Sequence, residues 1–329
     1  MKNVLITGGS GSFGNAFVDA LLDDPQVERI AIFSRGEHKQ AEMARRLQDV
    51  PAERLCFMIG DVRDAQRLRR AANGVDTIVH AAALKVVPTL EYNPSEGVRT
   101  NVLGAMNVIE AALDNGVERV IGIGSDKGSA PVNLYGATKL CAEKLFTAAN
   151  AYGGNTTRFS CVRYGNVTGS QGSVVPLWTE LAAKGLPLPL TDSRMTRFWM
   201  TLPDAVRLVM ESLDMMLGGE VFIPKIPSYR ITDMAEAIAP GSSFSVIGIR
   251  PGEKLHESLI GEHESHTAWD MGDRYALASY RYPTGGAPIF MADPTVPEGF
   301  SYRSDTNDDW LSASDIRHLL GLEEIREVA

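Results

Sequence analysis

Tyr135-Gly136-Ala137-Thr138-Lys139 sets a phenol and an amine four residues apart. On a helix that spacing puts both side chains on one face. A tyrosine with a reference pKa near 10 is a poor base at neutral pH. A lysine ammonium and a nicotinamide cation beside it would favour the phenolate. Such a pair can take the proton of a sugar hydroxyl while a hydride leaves the same carbon. Ten residues earlier, Ser125-Asp126-Lys127 adds a hydroxyl, a carboxyl and an amine. Hydride transfer needs neither of the last two. An acid and a base beside a redox pair suit the elimination of water; the alternative is a local ion pair in a loop.

The start of the chain offers a place for the hydride acceptor. Val4-Leu5-Ile6-Thr7-Gly8-Gly9-Ser10-Gly11-Ser12-Phe13-Gly14 holds G-x-x-G-x-x-G between an apolar strand and a helix. Gly8 permits the tight turn, Gly11 lets the backbone approach a pyrophosphate, and Gly14 lets the helix pack close to the sheet. The helix start then offers free N–H groups and a positive dipole end. Thr7, Gly8, Gly11, Ser12, Phe13 and Gly14 are therefore the expected cradle. An acidic residue about 20 residues on would hold the ribose 2′-OH of NAD. Ser34-Arg35 stands there instead, with Lys39 nearby, and suits the 2′-phosphate of NADP. The alternative is that these cations are a solvated helix start. Asp61 is placed to accept from the adenine amino group, with Val62 over the ring. Ala81 and Ala82 leave room for a ribose. Ordinary packing would also account for either pair.

These residues need a scaffold that brings them together. At about 150 residues per domain, 329 residues make two domains, or one large α/β domain with an appendage. Short apolar runs at 4–7, 29–33, 55–59, 77–80, 119–123 and 159–163 read as strands. Helical patterns lie over 13–22, 37–47, 65–72, 96–115 and 134–151. This alternation predicts right-handed βαβ units and a doubly wound parallel sheet covered on both faces. From about Gly165, glycine, proline and serine interrupt the pattern, with helices near 203–217 and 234–238. Residues 1–164, with returning segments, are expected to form the nucleotide domain. Residues 165–329 are expected to form mainly a smaller, interwoven substrate lobe and tail. The stretch 265–303 reads as irregular, and a last helix is expected after the cap residues at Ser312.

Composition narrows the class. Apolar residues make up 44% and charged residues 22%, as in ordinary globular proteins. The 32 Lys and Arg against 41 Asp and Glu leave a formal charge of −9. That balance argues against nucleic-acid and anionic-membrane partners, while local Arg and Lys clusters still suit a small anion. Cys56, Cys141 and Cys161 show no CxxC spacing, which fits a reducing cytoplasm. The apolar start is too short for a signal segment, and no apolar run approaches about 18 residues. His263-Glu264-Ser265-His266 lacks the H-E-x-x-H spacing, so it reads as a solvated loop and no metal is expected.

The glycine loop with Tyr135-x-x-x-Lys139 resembles the extended short-chain dehydrogenase/reductase superfamily. Further segments sharpen the likeness: Ala81-Ala82-Ala83-Leu84-Lys85, Arg163-Tyr164-Gly165-Asn166-Val167, Arg194-Met195-Thr196-Arg197-Phe198-Trp199, and Gly248-Ile249-Arg250-Pro251-Gly252-Glu253-Lys254-Leu255-His256-Glu257. Together they resemble the inverting UDP-N-acetylglucosamine 4,6-dehydratases of pseudaminic acid biosynthesis. The likeness runs from residue 1 to about 260 and returns at Asp309-Trp310-Leu311. It implies a Rossmann-type domain, NADP, a UDP-N-acetylglucosamine substrate, a cytoplasmic setting and a homo-oligomer, from a dimer up to a hexamer. One departure is Ser125, where such enzymes commonly carry Thr.

The resemblance also implies roles. Tyr135 and Lys139 would oxidise C4. Lys127 would take the C5 proton while Asp126 protonates the departing C6 hydroxyl, and hydride would return to C6 with inversion at C5. Lys127 is expected to be neutral, pushed down by Lys139, the nicotinamide and desolvation, and Asp126 to be pushed up by desolvation. Arg250 and Glu253 would hold the uridine ribose and phosphate end, with Arg194 and Arg197 as further phosphate partners. Asn166 would contact the substrate beside the nicotinamide. Ser173 and Val174 would line the uracil pocket, and Lys85 would reach the sugar. Retaining relatives carry Asp-Glu in place of Asp126-Lys127, and 4-epimerases usually lack the acid–base pair. A retaining dehydratase, a 4-epimerase and a non-catalytic NADP-binding sensor or scaffold are the rival readings.

Overall fold

In the computed structural model, which describes residues 1–152, 156–168, 174–278 and 296–322, one nine-stranded sheet dominates the chain. Its first six strands are β1 (Asn3–Thr7), β2 (Arg29–Ser34), β3 (Leu55–Ile59), β4 (Thr77–His80), β5 (Arg119–Ile123) and β6 (Arg158–Val162). They run parallel in the order β3-β2-β1-β4-β5-β6. Val4, Leu5 and Ile6 are buried on both faces of the sheet. That is why the sequence shows an unbroken apolar run there rather than alternation. Helices Ser12–Asp23, Glu37–Arg46, Ala65–Ala71, Gly104–Asn115 and Leu134–Ala149 supply the crossovers. The chain leaves β1 toward β2 on one side and meets β4 on the other. A ligand crevice forms at such a reversal, beyond the carboxyl ends of the strands.

The remaining strands are β7 (Leu188–Leu190), β8 (Thr196–Phe198), β9 (Val221–Pro224), β10 (Ser228–Arg230), β11 (Phe244–Val246), β12 (Ser258–Ile260), β13 (Ala268–Asp270), β14 (Arg274–Leu277) and β15 (Tyr302–Arg303). β9 extends the sheet parallel to β6, β14 adds antiparallel to β9, and β13 adds antiparallel to β14. The expectation of an irregular stretch at 265–303 is therefore corrected. Its described part carries three strands, two of them in the main sheet. The strands are two to four residues long and owe their place to β9 and β12 rather than to local pattern. Between these returning segments lies a second core. Trp178, Leu188, Leu190, Trp199, Tyr229, Met234 and Ile316 pack together in a smaller lobe. The last helix, Ala313–Leu319, starts as the sequence indicated. The Ser312 hydroxyl accepts from the Asp315 N–H, and the Asp315 carboxylate accepts from the Ser312 N–H.

A buried ion cluster ties the chain after β12 to the sheet and to helix Leu134–Ala149. Arg163, just past β6, is fully buried. Its Nε and Nη2 donate to the two Glu143 oxygens at 3.0 and 2.6 Å. Nη1 and Nη2 donate to Glu264 at 2.8 and 2.9 Å, and Nη1 also reaches the Leu259 carbonyl. Glu264 is thus no part of a solvated loop, as the sequence suggested. It sits in a 3-10 turn, Glu262–Thr267, and also accepts from the Gly261 N–H. Burial pushes the Glu264 carboxyl up, but the Arg163 charge and hydrogen bonds outweigh this and hold it below the ordinary glutamate value. Arg163→Ala would strand two buried carboxylates, at a cost of about 3–5 kcal/mol. Urea unfolding is expected to show that loss, with much of it recovered when Glu143→Gln and Glu264→Gln are added. A single-variant loss under about 1 kcal/mol would place the pair with weak surface bridges.

Candidate active site

A cleft of about 1190 Å³ opens along the carboxyl ends of the strands. It runs from the loop after β1, past the ends of β4 and β5, to Arg250 and Glu253 in the lobe. Gly8, Gly11, Ser12, Phe13 and Gly14 line its first part. Gly8 has φ +71°, and a Cβ there would stand 2.8 Å from the Ala82 nitrogen, so a side chain is excluded. Gly11 caps helix Ser12–Asp23 without a side chain, leaving the helix start open to an anion. Thr7 was expected in this cradle, and the structure corrects that. It is fully buried, its hydroxyl bonded to His80 Nδ1 at 2.8 Å and accepting from the Ala82 N–H at 3.3 Å. Thr7 fixes the β4 loop rather than facing the cleft. His80 is pushed down to about 3 by burial, then by Lys139, so it is neutral.

Beside the ends of β2 and β3, Ser34, Arg35, Lys39, Asp61 and Val62 all line the cleft. Ser34 Oγ receives hydrogen bonds from Ser10 Oγ and Gln40 Nε2. Asp61 accepts from Arg63 at 2.6 Å and lies 3.7 Å from Arg35. Burial raises its carboxyl, and these two cations outweigh that and keep it ionised. The open helix start, the close pass at Gly8 and these side chains fit a nicotinamide dinucleotide.

The reactive end is built by two tight packings. Beyond β5, Asp126–Gly128 turn in a 3-10 helix capped by Ser125, whose hydroxyl accepts from the Lys127 N–H. Asn133 caps helix Leu134–Ala149 by accepting from the Gly136 N–H at 2.8 Å. A Cβ on Gly136 would meet the Lys127 carbonyl at 2.1 Å, so this glycine lets the helix lie against the turn. Tyr135, Lys139, Ser125 and Lys127 thereby reach the same stretch of cleft. Asp126 lies beneath them, fully buried, and accepts from Ser125 Oγ at 2.9 Å. Lys127 Nζ donates to Asp126 at 3.2 Å, to Asn166 Oδ1 at 3.2 Å and to Glu257 Oε1 at 3.3 Å.

These environments set the protonation states. Burial pushes the Asp126 carboxyl up, as the sequence reading held, with the Glu257 charge adding to it against the pull of Lys127. The expected neutral Lys127 is corrected. Burial does push its amine down, but the Asp126 and Glu257 carboxylates outweigh burial and hold the ammonium above the ordinary lysine value. Tyr135 also departs from expectation: burial pushes its hydroxyl up more than Ser125 and Lys127 pull it down. Lys139, whose Nζ donates to the Ile123 carbonyl, is pushed down to about 8 by burial.

Toward the lobe, Lys85, Asn166, Val174, Arg197, Arg250 and Glu253 line the cleft. Lys85 is pushed down by burial and then by Lys127. Arg250 and Glu253 face each other at 3.8 Å. Arg194 is not brought to the site. It is exposed and tied to Asp192 at 2.7 Å, outside the cleft lining. Ser173 lies outside the described residues. The sequence reading missed Glu257 and Tyr229 as parts of the site. Glu257 stands 130 residues from Lys127, so no local spacing could reveal it. Its one signal was its place in the segment that ends Lys254-Leu255-His256-Glu257. Among the described residues, no three His, Cys, Asp or Glu side chains gather as a metal site.

Fold and cleft define the epimerase/dehydratase class of extended short-chain dehydrogenases/reductases. The chain belongs to the family described as polysaccharide biosynthesis protein, whose model matches residues 4–279. It is 47% identical over 331 residues to the inverting UDP-N-acetylglucosamine 4,6-dehydratase of Campylobacter jejuni, covering 98% of each chain. It is 40% identical over 335 residues to a UDP-glucose 4-epimerase of Rickettsia canadensis, covering 99% of this chain and 95% of that one. Of solved structures, Pen from Bacillus thuringiensis superposes with a TM-score of 0.87 at 35% identity, over 98% of each chain. A dTDP-glucose 4,6-dehydratase from Streptomyces venezuelae with NAD bound gives 0.69 at 26%, over 77% of this chain and 86% of that one.

The Lys139 environment has a stability signature. Its native pKa of about 8 lies below the ordinary 10.5, so the unfolded chain holds the extra proton between those values. Burial of the ammonium therefore opposes folding at neutral pH, and that opposition fades as pH rises through the window. Lys139→Met removes it. The stability of Lys139→Met minus wild type, from urea unfolding, is expected to fall from pH about 7 to about 10.5. A difference that stays flat with pH would show that Lys139 is not held in this way.

Proposed function

We propose that this protein is an NADP-dependent lyase acting on UDP-N-acetylglucosamine. Its product would be a UDP-2-acetamido-2,6-dideoxy-4-keto-hexose with C5 inverted. The observation that carries the reading is the Asp126-Lys127 pair. Lys127 lines one cleft with Tyr135 and Lys139, Asp126 is hydrogen-bonded to it from the buried side, and each group is shifted by burial and by the other. The identity to the Campylobacter jejuni dehydratase over nearly the whole chain supports it.

The nicotinamide, when bound, supplies the acceptor and later donor of hydride. Gly8, Gly11, Ser12, Phe13, Gly14, Ala81 and Ala82 would hold its diphosphate and ribose region, with Asp61 and Val62 at the adenine. Ser34, Arg35 and Lys39 would take the 2′-phosphate. On this reading Tyr135, with Lys139 beside it, accepts the C4 hydroxyl proton, and Ser125 holds the same oxygen. The C4 ketone makes the C5 proton acidic, and Lys127 takes it after passing its own ammonium proton to the Asp126 carboxylate 3.2 Å away. Asp126, whose carboxyl burial pushes up, gives that proton to the departing C6 hydroxyl. A proton delivered to the opposite face of C5 inverts that centre. Arg197, Arg250 and Glu253 would meet the UDP end, Val174 the uracil, and Asn166 and Lys85 the sugar. We place the reaction in the cytoplasm, which suits the three free thiols, and expect a homo-oligomer.

A 4-epimerase is the second reading, favoured by the relatives of that name. Proton NMR in deuterated water with UDP-N-acetylglucosamine decides between them. A 4-keto-6-deoxy product with inverted, deuterated C5 is expected. A C4 epimer alone would replace the dehydratase reading. Lys127→Ala is expected to keep NADP binding and lose water elimination by at least about a hundredfold; near-normal turnover would remove Lys127 from its role. Arg35→Ala is expected to weaken NADP by about tenfold to a hundredfold, one charge-assisted bond, and to leave NAD nearly unchanged. Equal effects on both dinucleotides would count against NADP.

A further inference from the structure

Glu257 is a buried carboxylate that the proposed steps leave unused. It immediately precedes β12, and its side chain is 3% exposed. Its backbone is pinned independently: its N–H donates to Ser304 Oγ, and its carbonyl accepts from the Ser304 N–H. The side chain instead turns to Lys127. Oε1 accepts from Lys127 Nζ at 3.3 Å and lies 3.8 Å from Arg197 Nε. Oε2 is buried without a hydrogen-bond partner among the described residues. A half-satisfied buried carboxylate is poor for stability, since an apolar side chain would cost less. Such an exception points to a task at the site.

We propose that Glu257 is a positioning residue for Lys127, the second carboxylate of a buried pair that clamps the lysine amine and retains its proton. The proposal deepens the reading of Lys127 as the C5 base and rests on it for its consequence in turnover. Around the amine, Asp126 comes from its own turn and Tyr135 from the following helix. Arg197 comes from β8, Tyr229 from β10, and Lys85 from the segment after β4. Lys254 adds a further cation. The three cations favour loss of the Lys127 proton; the two carboxylates oppose it. Asp126 is itself drawn toward its neutral form by burial. Burial raises Glu257 too, but Lys127, Arg197 and Lys254 outweigh it and keep Glu257 ionised. Glu257 is therefore the lasting countercharge, and the proton of Lys127 depends on it.

The test reads the amine directly. The whole protein is trace-labelled with acetic anhydride from pH about 7 to about 11, and the Lys127 peptide is quantified by mass spectrometry against exposed Lys144. In Glu257→Gln the labelling midpoint of Lys127 is expected to fall by at least about one unit, or about tenfold faster labelling at about pH 9. Glu257→Asp, which keeps the charge but withdraws it, should lie between. It also serves alone if the Gln variant does not fold. A loosened site would raise the labelling plateau and leave the midpoint in place, so an unmoved midpoint in both variants overturns the proposal. The readout does not require turnover. An active wild type with unmoved midpoints defeats only the role of Glu257. Moved midpoints in a protein that leaves UDP-N-acetylglucosamine unchanged defeat only the dehydratase reading.

Discussion

The Arg163 guanidinium has no route to water, so it must find its countercharges inside the protein. It finds them on two segments that the sheet alone would not align. Glu143 lies one helical turn beyond Lys139, on the helix that carries Tyr135. Glu264 lies in the turn after β12, and the Leu259 carbonyl between it and Glu257 is drawn to the same guanidinium. One buried cation thus fixes the Tyr135 helix against the chain that presents Glu257. A shift of either segment would leave a charge without a partner, a penalty far above that of a lost surface bridge. The geometry around Lys127 is rigid because that cluster beneath it tolerates little movement.

Much of this architecture was legible in the sequence, and for a definite reason. A parallel strand buried on both faces must be apolar throughout, so β1, β2, β4, β5 and β6 stand out as runs, while the part-buried edge strand β3 is apolar as well. The glycine loop was legible because it is local: strand, glycines and helix start lie within a dozen residues of chain. The same locality made Tyr135 and Lys139 readable, since a helix turns their spacing into a shared face. β13 and β14 were not legible, because three- and four-residue strands are held by β9 rather than by their own pattern. Thr7 was misplaced because pattern cannot tell a residue facing the cleft from one supporting the next loop.

Charge was harder to read than fold. Arg194 looked like a phosphate ligand by its surroundings, yet Asp192 two residues earlier already occupies it. Both residues stand in the sequence, but their spacing alone does not say that they pair. The state of Lys127 was only partly visible. Sequence offered the nearby cations and the desolvation of a cleft, which lower an amine, and one adjacent carboxylate, Asp126, which raises it. The second opposing carboxylate comes from 130 residues away. An ionisation state is set by a sum over space, and a sequence supplies only the part of that sum carried by neighbours along the chain.

The acid and the base of the proposed elimination are also not independent. Asp126 lies within hydrogen-bond distance of Lys127, so each charge sets the other's proton affinity, and the pair titrates as a unit. Burial favours a proton on Asp126, which arms it as the acid. The same proton removes one of the two countercharges that hold Lys127 as an ammonium. Arming the acid therefore eases release of the base, leaving Glu257 as the remaining restraint. A site with Asp126 alone would lose its hold on the lysine once the acid was protonated. A site with two permanent carboxylates would never free the amine. One carboxylate whose proton affinity burial raises and one that cations keep charged gives the intermediate restraint that the proposed elimination requires.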